Sequence, residues 1–293
     1  EPKTTRRVSV STLEEILFVS RKILDHGEIQ AVDYMGDDNS MAEAARTSYG
    51  EGTKSLQDNA ALVRSLIRDL HTSPIEMAEL AIEGKVPVFV DPRQWGRHRT
   101  LDNHGFMGYV PLGSQFYMPA DGEFKYQDRK NRQGRGKDMD DDDKNVAKRI
   151  LGGTFESELR TVEELRESQV PEEIVRMAKG VGFYTKRWRT GDTHNWGHFL
   201  RLRLDPHAQK EIREYAGAVE DLIKAHTPVA ASALRTYIID SMRLSSKEIE
   251  VLGKLLNSEA KIDLDNLDNF GGQGWIVPVD KYDSTKGRKL RAR

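Results

Sequence analysis

Residues 77–99 read MAELAIEGKVPVFVDPRQWGRHR. The first fourteen alternate or run apolar, the pattern of a strand with one face or both faces buried. Asp91 and Pro92 then read as the cap and first residue of a helix. That helix would carry Arg93, Arg97, His98 and Arg99. Arg93 and Arg97 are four apart and share a face, with Gln94 and His98 one step round. Clustered guanidiniums are costly unless an anion neutralises them, and one Arg fork takes two phosphate oxygens at once. A small-anion site and a solvated basic face over a buried Trp95 both fit this spacing.

Outward from this segment, EIQAVDYMG (28–36) and GFYTKRWRTGD (182–192) read as further strands. STLEEILFVSRKILDHG (11–27) reads as a helix, with a Ser11/Glu14 capping box, one face of Leu13, Ile16, Leu17, Ser20 and Leu24, and Gly27 as its stop. SLQDNAALVRSLIRDLH (55–71) and TFESELRTVEELRES (154–168) are amphipathic helices, and Pro171 opens another. Residues 194–226 give two helices meeting near Asp205-Pro206; two more start near Pro228 and Ser246, before a Gly-, Asp- and Lys-rich tail. Residues 122–145 hold almost nothing apolar and read as a surface loop or disordered insertion. No Gly-rich fingerprint follows any strand, which disfavours a dinucleotide-binding doubly wound sheet.

Composition narrows the function. The 293 residues carry a net charge of only −2, so the overall balance points to no nucleic-acid polymer and no anionic membrane. The local bases point instead to small anions. There is no cysteine, which removes disulfides, thiolate metal sites and thiol nucleophiles together. No apolar run reaches bilayer length, and EPKTTRRVSVSTLEE lacks the core of a secretory signal, so a cytoplasmic location is expected.

Two further constellations carry candidate chemistry. HTSPIEM (71–77) sets His71, Ser73 and Glu76 around a proline turn, where the Ser73 hydroxyl is placed to cap a helix. HNWGHFLRLRLDPHAQ (194–209) carries His194, His198 and His207 with Arg201 and Arg203. The two histidines four apart have metal-ligand spacing, but no acidic base lies between them, and a ring-and-phosphate site explains the mixture better.

Taken together, RQW and RHR (93–99), HTSPIEM, QFYMP (115–119) and FLRLRLDPHAQKEIREYA (199–216) resemble, in order and spacing, the flavin-dependent thymidylate synthases, the ThyX family. The match runs from about Gly27 to His226. It implies an α+β fold, an antiparallel sheet flanked by long helices, assembled as a homotetramer with active sites between subunits. By the same resemblance, residues 1–26 are a helical extension, 27–243 the catalytic domain, and 244–293 a C-terminal helix and tail. FAD would stack on a uridylate, methylenetetrahydrofolate would supply one carbon to C5, and NADPH would reduce the flavin.

The resemblance also assigns residues. Arg97, His98 and Arg99 match the FAD-contacting signature, with His71, Ser73, His194, His198 and His207 at positions around the flavin. Gln94 and Arg97 match nucleotide contacts, and Arg176 a phosphate-binding arginine. Arg203 matches the arginine held against the uracil edge, where a fixed guanidinium would stabilise the N3 anion and activate C5. The nucleotide-cradling loop departs from the family pattern. Asp102, His104, Gly105, Met107 and Tyr109 replace its polar residues, with Phe106 and Gly108 between them. Asp192, His194 and His198 stand where Asn, Arg and Asn are usual, and an extra residue falls in Asp91-Pro92. These changes are similar to those of divergent uridylate methylases of the polyoxin type. They lead to an expectation of UMP as acceptor, with dUMP as the weaker substrate.

Overall fold

Nine residue pairs, from Glu79↔Asp192 to Pro87↔Tyr184, join the two strands on which the rest of the chain is built. The computed structural model describes residues 7–47, 58–91, 95, 115–129, 134–242 and 244–259 (side chains to 253), and the backbone of 104–107. In chain order the strands are β1 (Arg21–Ile23), β2 (Gly27–Met35), β3 (Glu79–Pro87), β4 (His104–Met107), β5 (Lys125–Gln127), β6 (Arg135–Asp138) and β7 (Tyr184–Asp192). Five of them form an antiparallel sheet in the order β1-β2-β3-β7-β4, while β5 and β6 pair as a separate hairpin. The three strands read from sequence are β2, β3 and β7.

The helices are α1 (Ser11–Glu14), α2 (Asp38–Arg46), α3 (Asn59–Arg68), α4 (Asp141–Glu167), α5 (Glu172–Val175), α6 (Thr193–Arg203), α7 (Lys210–His226), α8 (Pro228–Leu234) and α9 (Ser246–Glu259). One face of the sheet packs on α6 and α7 through Ile29, Ala31, Leu80, Ile82, Trp196, Leu200, Tyr215 and Val219. A second core joins α2, α3 and α8 through Met41, Val63, Ile67, Ala230 and Leu234. Residues 241–293 form a unit of their own, in which Ser245 and Glu248 make a reciprocal capping box at the start of α9. Among the described residues no helix is long and apolar enough to cross a membrane.

The helix expected over 11–27 is a single turn. Its capping box does not form: Val10 is the N-cap, and Glu14 instead accepts a hydrogen bond from the Tyr34 hydroxyl. Tyr34 also accepts from the Val10 amide (2.9 Å), which pins the turn to the sheet. Phe18 (φ 60°) and Leu24 (φ 58°) then reverse the chain in the left-handed region, and its residues 21–23 become the edge strand β1. Gly27 is therefore no helix stop. It sits in β2 where the Tyr215 hydroxyl passes to the Lys85 carbonyl (2.6 Å), and a Cβ there would collide with that hydroxyl and with the Ile23 carbonyl.

The described residues of 122–145 carry more structure than composition suggests. Buried Phe124 anchors the hairpin, and the Tyr126 hydroxyl reaches Asp140 (2.8 Å) and Asp143 (2.6 Å) at the start of α4. Asp140 caps α4 through the Asp143 amide (2.9 Å), and three acidic residues in its first turn complement the helix dipole. α4 thus begins thirteen residues before the amphipathic stretch seen at 154. The acid run DDDD (140–143) is a helix start, because a charged segment needs only one side to pack.

His226 closes α7. Its ring is 1 % exposed, its Nε2–H donates to the Gly36 carbonyl (2.9 Å), and it meets Tyr34 edge-on. Burial holds its pKa below the ordinary imidazole value, against the smaller opposing pull of Gly36 and Asp37. The folded state therefore binds this proton less readily than the unfolded chain. The resulting stability is present above about pH 6.5 and is lost as the pH falls below it. His226→Gln, a neutral donor at both pH values, is expected to show a smaller drop in urea midpoint than the wild type between about pH 7.5 and 5.5.

Candidate functional site

β7 runs directly into α6, and this junction gathers most of the described candidate residues. Asp192 caps the helix by accepting from the Asn195 amide (2.8 Å). The Thr193 amide and hydroxyl both donate to the Ala78 carbonyl (2.9 and 3.1 Å), and Trp196 Nε1 donates to the Leu80 carbonyl (3.1 Å). The start of α6 is thereby tied to the start of β3 and to the 3-10 turn Ile75–Met77, on which it packs.

His71 and Ser73 lie on the approach to that turn. α3 ends in a Schellman motif: the His71 amide donates to the Leu66 carbonyl (2.9 Å) and the Leu70 amide to Ile67 (3.3 Å), with Leu70 at φ 58°. His71 and Ser73 are left exposed. Ser73 does not cap the turn; Pro74 is its N-cap, and the Thr72 carbonyl accepts from Ile75 and Glu76 instead.

On α6, His194 and His198 share a face and are half-buried. Arg203 is 8 % exposed and lies nine residues beyond His194, about two and a half turns on and so on the opposite side of the helix. The arginine shares the inward stripe of Trp196, Phe199 and Leu200. One chain therefore does not bring Arg203 and His194 to a common surface. His207 follows in the α6–α7 turn, its side chain 86 % exposed, where its amide donates to the Asp205 carboxylate (2.7 Å) and its Nδ1 pairs with the same oxygen (2.9 Å). Among the described residues no three His, Asp or Glu side chains gather as a metal site.

Arg176 belongs to a different corner, in a 3-10 turn after α5 that packs on α4. The Lys179 amine nearby is held below its usual pKa by burial first, then by the Arg166 and Arg176 guanidiniums, with Glu172 pulling the other way. Gly105, Phe106 and Met107 form β4, paired with Arg189, Trp188 and Arg187 of β7. Gln94, Arg97, His98, Arg99, Gly108 and Tyr109 lie outside the described residues.

Asp91 does not serve as a helix cap. It is fully buried, and its carboxylate accepts from Arg187 (Nε, 2.7 Å) and from Arg189 (2.8 Å), an ion triad that sequence reading missed. The available signal was two arginines at alternate positions of one strand, which place both on one face. The Arg189 guanidinium also lies 5.3 Å over the Trp95 ring, which stacks on Phe199 (5.2 Å) and meets Tyr215 edge-on. Trp95 is 2 % exposed, so the middle of RQWGRHR is bolted to β7, α6 and α7 at once.

A protein-family model described as thymidylate synthase complementing protein, Thy1, matches residues 30–229. A flavin-dependent thymidylate synthase of Ehrlichia ruminantium (strain Gardel) is 38% identical over 260 residues, covering 88% of this chain and 87% of its own. That of Rickettsia conorii is 37% identical over 272 residues, covering 87% and 92%. The chain belongs to the flavin-dependent thymidylate synthase family. It is an enzyme of the methyltransferase class. Among solved structures, the UMP/dUMP methylase PolB from Streptomyces cacaoi, bound with 5-bromo-UMP, superposes with a TM-score of 0.64 at 25% identity, covering 74% of this chain and 98% of that one.

Within this thymidylate synthase fold, Asp91→Ala would strand two guanidiniums beside β4. It is expected to cost about 3–5 kcal/mol of stability, read as a lower urea midpoint in the purified protein.

Proposed function

We propose that this enzyme methylates C5 of a uridine 5′-monophosphate, accepting UMP as well as dUMP, with FAD as its flavin. Methylenetetrahydrofolate is the one-carbon donor and NADPH the reductant. The observation that carries the reading is Arg203, a guanidinium held at 8 % exposure by the packing of α6, at the family's uracil-edge position. Fixed there, it stabilises negative charge at N3 and so raises electron density at C5. With no cysteine in the chain, no thiol adds to the base, and activation rests on this electrostatic contact.

The other roles follow the same resemblance. His71, Ser73, His194, His198, His207 and the Arg97–Arg99 signature hold the flavin, and Arg176, Gln94 and Arg97 hold the nucleotide with the 105–109 segment. The described flavin-side residues fit the group: imidazoles and a hydroxyl on partly or fully exposed surface suit ring carbonyls and phosphates, while the neighbouring carboxylates are engaged, Asp192 in capping α6 and Asp205 by His207. FAD, once bound, carries reducing equivalents to the transferred carbon. Since Arg203 and His194 face opposite sides of α6, the reading includes a homotetramer in which neighbouring chains complete each site. Residues 27–243 carry the reaction, and the enzyme works in the cytoplasm.

A second reading, a dUMP-specific thymidylate synthase, is favoured by the identity of 37–38% to thymidylate synthases along most of the chain. A turnover assay with FAD, NADPH and methylenetetrahydrofolate, given UMP or dUMP and read by product mass, decides between them. Methylation of both nucleotides supports the proposal, methylation of dUMP alone supports the second reading, and methylation of neither overturns both. Arg203→Ala is expected to lower kcat on the preferred nucleotide by about 10²–10³-fold, and Arg203→Lys to restore little because a point charge cannot replace the planar fork.

A further inference from the structure

A cleft of about 670 Å³ opens between the β5–β6 hairpin and the turn joining α6 to α7. Four cationic side chains line it, Lys125, Arg135, Lys210 and Arg213, against two carboxylates, Glu123 and Asp128. Three of the four are already committed. Lys125 pairs with Asp138 (3.1 Å), Lys210 with Glu123, and Arg135 with Glu211.

Glu211 has no exposed surface. Its other partners are the Tyr117 hydroxyl (3.0 Å) and Gln209 Nε2 (2.9 Å). Burial pushes its pKa up, but Arg135, its own backbone amide and Gln209 outweigh it and hold the carboxyl below the usual range. The hairpin is thus fastened to α7 by a satisfied ion pair, and the wall of the cleft is built rather than incidental.

Arg213 is different. Among the described residues its side chain makes no hydrogen bond or ion pair, and its Nε is buried without an acceptor. Its charged neighbour is Asp205, already engaged by His207. The side chain is half-buried, and the buried, unpaired Nε bears a desolvation cost that a bound anion would offset. The cleft also lies at the N-terminal end of α7, where the helix dipole adds to the attraction.

We propose that this cleft is a subsite for the anionic end of a co-substrate, carboxylate or phosphate, with Arg213 as its anchor. The inference rests on the proposed function in one respect: His207, which lines the cleft, is the residue placed beside the flavin. A ligand reaching from the flavin into the cleft would leave its charged end against Arg213. Two sources share that chemistry, the glutamate tail of the folate and the phosphates of the reduced nicotinamide dinucleotide.

The test compares the wild-type holoenzyme with Arg213→Gln and Arg213→Lys. Flavin content and melting temperature serve as folding controls. Loss of one charge-assisted contact is expected to raise the KM of one co-substrate about tenfold or more in Arg213→Gln, with the Lys variant in between. A rise that grows from mono- to triglutamylated methylenetetrahydrofolate identifies the folate tail. A rise for NADPH with the folate KM unchanged identifies the dinucleotide, the pyrophosphate where NADH shares the rise and the 2′-phosphate where it does not. Unchanged KM values for both overturn the proposal. Should the wild type methylate neither nucleotide, the proposed function fails, and calorimetry with inorganic pyrophosphate judges the cleft alone. Binding to the wild type that is lost in Arg213→Gln supports it, and equal or absent binding in both overturns it.

Discussion

A carboxylate with no exposed surface must be paired, and Asp91 is paired twice. Its position at the end of the β3 segment, opposite two arginines of β7, locks the last turn of one strand to the middle of the other. The same arginines stand in register with Gly105 and Met107, so the triad also sets where β4 lies. Arg189 reaches Trp95, which carries the constraint into the basic segment. Breaking such a pair leaves buried charge unopposed, which is why one side chain governs three strands and the approach to the site.

α6 transmits that order to the chemistry. Its first turn is anchored to β3 through Thr193 and Trp196, and its two sides then serve different ends. The inward stripe holds Arg203 in packed surroundings, where a guanidinium keeps one orientation. The opposite side offers His194 and His198 at partial exposure. This separation of Arg203 from His194 is the geometry that the proposed homotetramer would reconcile, with neighbouring chains completing each site.

In the proposed function, the absence of cysteine and the burial of Arg203 belong to one chemical strategy. A pyrimidine carbon can be activated by covalent addition or by stabilising charge on the ring, and this chain has material only for the second. The proposed electrostatic route calls for a fixed cation in a dry setting, and Arg203 lies on the same buried stripe of α6 as Trp196, Phe199 and Leu200. In the cleft beside the α6–α7 turn, Lys125, Arg135 and Lys210 are spent on internal pairs, while Arg213 has no described partner.

Much of the frame was legible in the residues. β2, β3 and β7 announced themselves by alternation, the α6–α7 break by Asp205-Pro206, and α8 by Pro228, because these signals are local and agree with the packing. The helix reading of 11–27 failed because its periodicity competed with Tyr34, a residue of β2 that took Glu14 and the Val10 amide for itself. α2 went unread because its capping pair, Asp37 and Ser40, encloses too short an apolar stripe to stand out. Candidate residues were nameable from motif order, so the sequence by itself determined the chemistry this protein has available: arginines, imidazoles and no thiol. Only the tertiary structure decided how they are used. Which arginine is paired, which is buried, and which face of α6 each group occupies depend on contacts between segments 76 to 116 residues apart, and no local pattern records them.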